Sequence, residues 1–165
     1  MPKAAVIIGS DSDLEIIRPC LETLDSLGIS HEIRVLSAHR TPEALNKYVK
    51  AAEKKGVKVF IAGAGLAAHL PGVIASYTNL PVIGVPLSGL AGGMDALLSM
   101  VQMPGGVPVA TMAVGKPGAK NAALFAGRIL AQNDPRLRQK LARLRLKMRR
   151  EVALKEKKLH ELLNK

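Results

Sequence analysis

Residues 37–42 read SAHRTP and put a hydroxyl, an imidazole and a guanidinium within four positions. Imidazole can donate and accept protons near neutral pH, so His39 is a candidate general acid/base. Arg40 carries the planar fork suited to phosphate. The same residues also suit a plain turn before a helix opened by Pro42, with Thr41 as its cap. Residues 9–13, GSDSD, offer two hydroxyls and backbone N–H groups at a helix start. Such a start attracts phosphate. Capping by Ser12 or Asp11 is the competing use. A third cluster, GAGLAAHLPG over 63–72, holds His69 beside a glycine-rich turn. Its G-x-G-x-x-A has the outline of a dinucleotide loop, but the chain has no Asp or Glu between Glu53 and Asp95 to hold a ribose. Close backbone approach to a ligand or another chain is the better reading of these glycines. Four scattered histidines and one cysteine give no metal-ligand spacing.

The elements that must position these loops follow from periodicity. Short apolar runs at 4–9, 31–36, 57–65, 80–86 and 106–115 predict five strands. Helices are expected over 13–27, 42–56, 69–77, 94–102 and 119–131. Pro19 should kink or delay the first helix, and Gly28 should end it. Near-continuous apolar strands alternating with helices belong to a parallel sheet covered on both faces. The expected fold is α/β: a three-layer, flavodoxin-like sheet of about five strands with a long C-terminal helix. Ligands in such sheets bind beyond the carboxyl ends of the strands. That places Ser10–Asp13, Ser37–Arg40, 63–69 and 86–93 along one edge.

At 165 residues with 48% apolar content, the chain can bury a core. Aromatics make up 2%, too few for a base-stacking platform. One cysteine and a start without a basic-then-apolar leader point to a cytoplasmic protein. No apolar run is long enough to span a membrane. The net charge of +11 is concentrated: residues 1–134 carry 12 basic and 10 acidic side chains, residues 135–165 carry 12 and 3. The chain therefore divides into a domain over 1–134 and a basic amphipathic helix, 135–165. The helix belongs to the same domain or to its oligomer interface. Its stripe Leu137, Leu141, Leu144, Met148, Val152, Leu159 and Leu162 must be covered by this domain or a sister subunit, unless it serves a nucleic acid or membrane surface.

GSDSD, SAHRTP, AGAGLAAHLPG and SMVQMPGGVPVATMAVG, in this order and spacing, resemble the PurE family. The resemblance covers about residues 4–132 and implies N5-carboxyaminoimidazole ribonucleotide mutase activity in purine synthesis. It also implies a homo-octamer and a reaction without metal, organic cofactor or ATP. By matched position, His39 is the general acid/base. Ser10, Asp13 and Arg40 are substrate binders, with Ser12, Ser37 and Arg40 around the phosphate and Asp13 at the ribose. Ala38, Gly65, His69 and Leu70 line the base and carboxylate end. Small residues Ala64, Ala67 and Ala68 and a glycine-rich lid over 88–93 would wall the pocket. Two features depart from the family pattern. Leu66 stands where the family usually has glycine, and the loop around 87–95 is about one residue short and lacks its usual polar residues. They keep direct carboxylation of aminoimidazole ribonucleotide as an alternative, although LLSMVQMP favours the mutase. A non-enzymatic nucleotide- or RNA-binding module is the remaining reading.

Overall fold

The computed structural model of the protein describes residues 1–87 and 89–163. Its strands are β1 (Ala4–Ile8), β2 (His31–Val35), β3 (Val59–Ala64), β4 (Val82–Pro86) and β5 (Ala110–Thr111). They form one parallel sheet in the order β2-β1-β3-β4-β5. Interior strand β1 is buried at every position, since helices cover both faces of the sheet. The pleat divides its side chains: Ala4, Val6 and Ile8 enter one half of the core, Ala5 and Ile7 the other. Helices α1 (Leu14–Leu27) and α5 (Gly115–Leu130) close the first half. Helices α2 (Pro42–Lys54), α3 (Leu70–Tyr77) and α4 (Met94–Val101) close the second. This is the three-layer α/β/α arrangement that the strand–helix alternation predicts.

Helix ends follow their residues. Gly28 stops α1 in the left-handed region, at φ 68°, where a side chain would be strained. The α1 helix runs through Pro19, which stands in its second turn, after a short 3₁₀ turn over Asp11–Asp13. That turn is capped by Ser10, and α1 follows Asp13 without a side-chain cap, so neither Ser12 nor Asp11 caps the helix as expected. The Ser10 hydroxyl accepts from the Ser12 N–H, and the Asp13 carboxylate accepts from the Ser10 N–H, so two orphan donors are satisfied reciprocally.

The expected strand over 106–115 reduces to two paired residues. Pro108 has no N–H for the ladder, and Gly106, at φ 95°, belongs to a turn. Beyond Met112, whose N–H still donates to the Gly84 carbonyl, the chain leaves the sheet early to begin α5 at Gly115 rather than 119. Gly118 allows that departure: a Cβ there would lie 1.6 Å from the Ala113 carbonyl oxygen. Buried Ala119, Ala122, Ala123 and Ala126 continue the small face of α5. Gly127 extends it and lets α5 approach Leu27.

Helix α6 (Pro135–Leu163) has 29 residues and is about 43 Å long at 1.5 Å per residue. Asp134 accepts from the Leu137 N–H at 3.1 Å and starts it. Leu137 is buried and Leu141 packs on the first core half. Lys140 donates to the Leu27 carbonyl at 2.9 Å, closing the end of α1. Past Leu144 the apolar side chains Leu146, Met148, Val152, Leu154, Leu159 and Leu162 are all exposed. Among the described residues no helix is long and apolar enough to cross a membrane.

Candidate active site

The loops after β1, β2 and β3 meet at the carboxyl edge of the sheet. They do so because the order β2-β1-β3 makes those three strand ends neighbours. After β1, the capped turn fixes Ser10, Ser12 and Asp13. Ser12 Oγ donates to Ser10 Oγ at 2.9 Å, and Ser10 Oγ donates to Asp11 Oδ1 at 3.1 Å.

After β2, the SAHRT turn closes on itself. Thr41 Oγ1 accepts from the Ser37 N–H at 3.0 Å and donates to the Ser37 carbonyl at 3.1 Å. Ser37 Oγ accepts from the Arg40 N–H at 3.2 Å. Thr41 precedes α2 as expected, but its hydroxyl is engaged backward on Ser37 and makes no cap bond to the helix. Its side chain holds the loop while Pro42 opens the helix. Arg40 then reaches across to the first loop, donating Nη2 to the Gly9 carbonyl at 3.0 Å.

After β3, the chain passes Gly65 and Leu66 and enters α3 at Leu70. Leu66 has φ 54°, a left-handed conformation that glycine adopts without strain. The His69 N–H donates to the Ala67 carbonyl at 2.8 Å. The His69 ring meets the His39 ring edge-on, with Nδ1 of His69 2.8 Å from Nε2 of His39.

These loops enclose a cavity of about 510 Å³. Its wall contains Ser10, Ser12, Asp13, Ser37, Ala38, His39, Arg40, Gly65 and Leu70, with Ala64 and Ala67 among the small residues. His69 is not among those residues; its exposed ring bonds that of His39, which is. Ala68 is buried beneath the wall. Of the glycine-rich segment expected as a lid, 89–93 does not reach the cavity, and Ser88 lies outside the described residues. Gly9 and Leu66 join the wall without having been singled out as binders. Gly9 acts through a carbonyl, which leaves no side-chain signature in a sequence. Leu66 was singled out in the sequence as a departure from the family pattern, and it stands on the wall.

The cavity is electrostatically mixed. Burial pushes the Asp13 carboxyl above its ordinary value of 3.8, against the backbone hydrogen bonds from Ser10 and Gly9 that pull it down, while nearby Asp11 adds to the rise. The same lining holds the Arg40 guanidinium and the hydroxyls of Ser12 and Ser37. An acceptor together with cationic and hydroxyl donors and an imidazole in one cavity match a polar ligand carrying both hydroxyl and anionic groups.

A family model described as AIR carboxylase matches residues 3–151. The N5-carboxyaminoimidazole ribonucleotide mutase of Pyrococcus horikoshii is 52% identical over 162 residues, 98% of this chain and 90% of that one. The protein of the same name from Saccharolobus solfataricus is 57% identical, over 92% of this chain and 96% of its own. Among solved structures, Treponema denticola PurE matches with a TM-score of 0.87 and 27% identity, over 96% of this chain and 99% of that chain.

Proposed function

The chain belongs to the AIR carboxylase family, the family of PurE, and from that premise we propose that it converts N5-carboxyaminoimidazole ribonucleotide to the 4-carboxy isomer in purine synthesis. The observation that carries the reading is the convergence of His39, Arg40, Ser12, Ser37 and Asp13 on one cavity. Arg40, with the hydroxyls of Ser12 and Ser37, takes the phosphate. Ser10 and Asp13 take the ribose side. Ala38, Gly65 and Leu70 form the wall against the base and carboxylate end, with His69 beside them, bonded to His39.

The chemistry follows from lability. Protonated His39 gives its proton to the exocyclic nitrogen as the N–C bond breaks and CO2 leaves. Ring carbon C4, electron-rich through the amine, attacks the trapped CO2. The proton on C4 then returns to His39, and the histidine ends as it began. One group that gives and then takes suffices, and imidazole has the right basicity near neutral pH. No metal, organic cofactor or nucleotide triphosphate enters the scheme.

Trapping CO2 needs a closed, dry pocket. In the single chain His39 and Arg40 are exposed. A second exposed feature bears on this: Leu90, Met94, Leu98 and Val101 form an apolar stripe at helical spacing on and before α4. The far part of α6 adds another. Residues 1–134 act as the catalytic domain, and 135–165 as a helix that is shared between that domain and the oligomer interface. Copies of this chain cover both stripes and complete the pocket, in a homo-oligomer that the family resemblance implies is an octamer working in the cytoplasm.

Direct carboxylation of aminoimidazole ribonucleotide is the second reading, favoured by Leu66 in its left-handed turn on the pocket wall. One experiment separates them. Purified protein without ATP receives the N5-carboxy substrate in one tube, and aminoimidazole ribonucleotide with modest bicarbonate in another. Rapid C4-carboxylated product from the first alone is expected. Efficient product from the second would overturn the mutase, and none from either would favour a binding module.

A further inference from the structure

We infer that Leu66 is a specificity-determining residue of the site, an apolar cover that keeps CO2 in the cavity until ring carbon C4 takes it. This rests on the proposed function. It applies to both reactions weighed there, since CO2 is the species held in either.

Three observations carry it. The first is where Leu66 stands. In the segment after β3, Ala64 and Leu70 are buried while Leu66 and Ala67 are exposed, and all four line the cavity. The segment therefore runs along the cavity from its buried depth to its open edge. Leu66, 60% exposed, is the one large apolar side chain of the lining still open at that edge. The second is what else could cover the cavity. Residues 89–93 do not reach it, and the other exposed lining groups include His39 and Arg40, which attract water. The third is the backbone. A φ of 54° strains leucine, and so exposed a side chain regains little by packing within its own chain. Strain of this kind persists where the geometry is used.

The chemistry gives such a cover its task. CO2 has no charge and no net dipole, so an apolar wall can hold it without drawing in water. When the N–C bond of the substrate breaks, its electron pair stays on nitrogen, which takes the proton of His39. CO2 is then free. If it is kept, C4 attacks it and the proton on C4 returns to His39. If it escapes, aminoimidazole ribonucleotide is left and His39 regains a proton from water. Leu66 sets the ratio between these two ends.

The test uses the full chain as wild type, Leu66→Gly, Leu66→Asn and Leu66→Met. Glycine and asparagine both tolerate the left-handed turn. Glycine removes the side chain, and asparagine keeps its bulk but not its apolarity. Methionine keeps both. Each protein receives the N5-carboxy substrate in isotope-labelled bicarbonate. Two quantities report the leak: free aminoimidazole ribonucleotide beyond a protein-free control, and label in the C4-carboxylate. Leu66→Gly and Leu66→Asn should each raise both by about fourfold or more, the worth of one buried methylene. Leu66→Met should stay below the two. Leakage in Leu66→Gly and Leu66→Asn equal to that of wild type would overturn the inference. So would a rise accompanied by a fall in assembled mass by light scattering, since Leu66 would then serve a contact between copies. If the wild type instead carboxylates aminoimidazole ribonucleotide directly, the same two variants should raise the bicarbonate needed for half-maximal rate by the same factor, and no rise would overturn the inference. Without C4-carboxylated product from either substrate, the proposed function and this inference fall together. With product and a leak indifferent to position 66, only this inference falls.

Discussion

The Arg40 guanidinium donates from Nη2 to the Gly9 carbonyl across 3.0 Å and ties the loop after β2 to the loop after β1. One arm of the fork is used on the protein, which leaves the other donors for a phosphate. Lysine offers a point charge without that fixed fork and so cannot hold both partners in the same geometry. Arg40→Lys should raise KM about 10- to 100-fold, the worth of a charged hydrogen bond, with a smaller effect on kcat. Steady-state kinetics check this, and an unchanged KM would remove Arg40 from the phosphate.

His39→Asn keeps a polar side chain on the same turn, whose bonds run through Ser37, Arg40 and Thr41. Fold and substrate binding should persist while turnover falls by about 10²- to 10⁴-fold. Calorimetric binding beside the assay separates the two effects. Near-normal turnover would refute the assigned role.

Asp13 yields a prediction about pH. Its folded-state pKa lies above the ordinary 3.8 because burial disfavours the charged form. The folded state thus binds the proton more tightly than the unfolded one. The stability this contributes is complete below pH 3.8 and is lost as pH rises through the raised value. Asp13→Asn, which still accepts from the Ser10 N–H, should melt above wild type at pH 7. The difference should shrink on acidification toward pH 4. It should also bind substrate more weakly, a trade common at functional sites. A melting advantage that does not change with pH would contradict this account.

Leu66 sits at φ 54° with its side chain largely in solvent. Leu66→Gly removes the left-handed strain and gives up little packing. A gain of about 0.5–1 kcal/mol is expected after the entropy cost of glycine. The urea midpoint measures it. A loss of stability would mean that Leu66 packs against something outside the single chain.

The tail should be cut where the structure divides it. Deletion after Asn133 removes Leu137 and Leu141 from the core as well as the exposed stripe. Deletion after Leu144 removes the stripe alone. The shorter cut should lower the assembled mass by light scattering while the domain keeps its melting transition. An unchanged mass would count against the interface role of α6.

How much of this was legible in the sequence differs from element to element. The five strands, the helices and their glycine stops were readable because burial on two faces and left-handed C-caps each demand particular residues locally. SAHRTP and GSDSD declared their chemistry by residue type, and their place after strands put them on one edge of the sheet. The end of β5 was not readable, since residues 106–115 are apolar enough for a strand. What shortens it is a turn at Gly106 and the approach of Gly118 to Ala113. The role of Thr41 was misread in its bond though not in its place, because one hydroxyl can serve forward or backward along the chain. His69 was legible as a histidine on the right edge. Only the fold decided that its ring meets that of His39, 30 residues away. Sequence determined which chemical groups the protein has and which loops carry them, through rules that act within a few residues. Tertiary structure decided which groups touch, because the order β2-β1-β3 brings together loops that the chain keeps far apart.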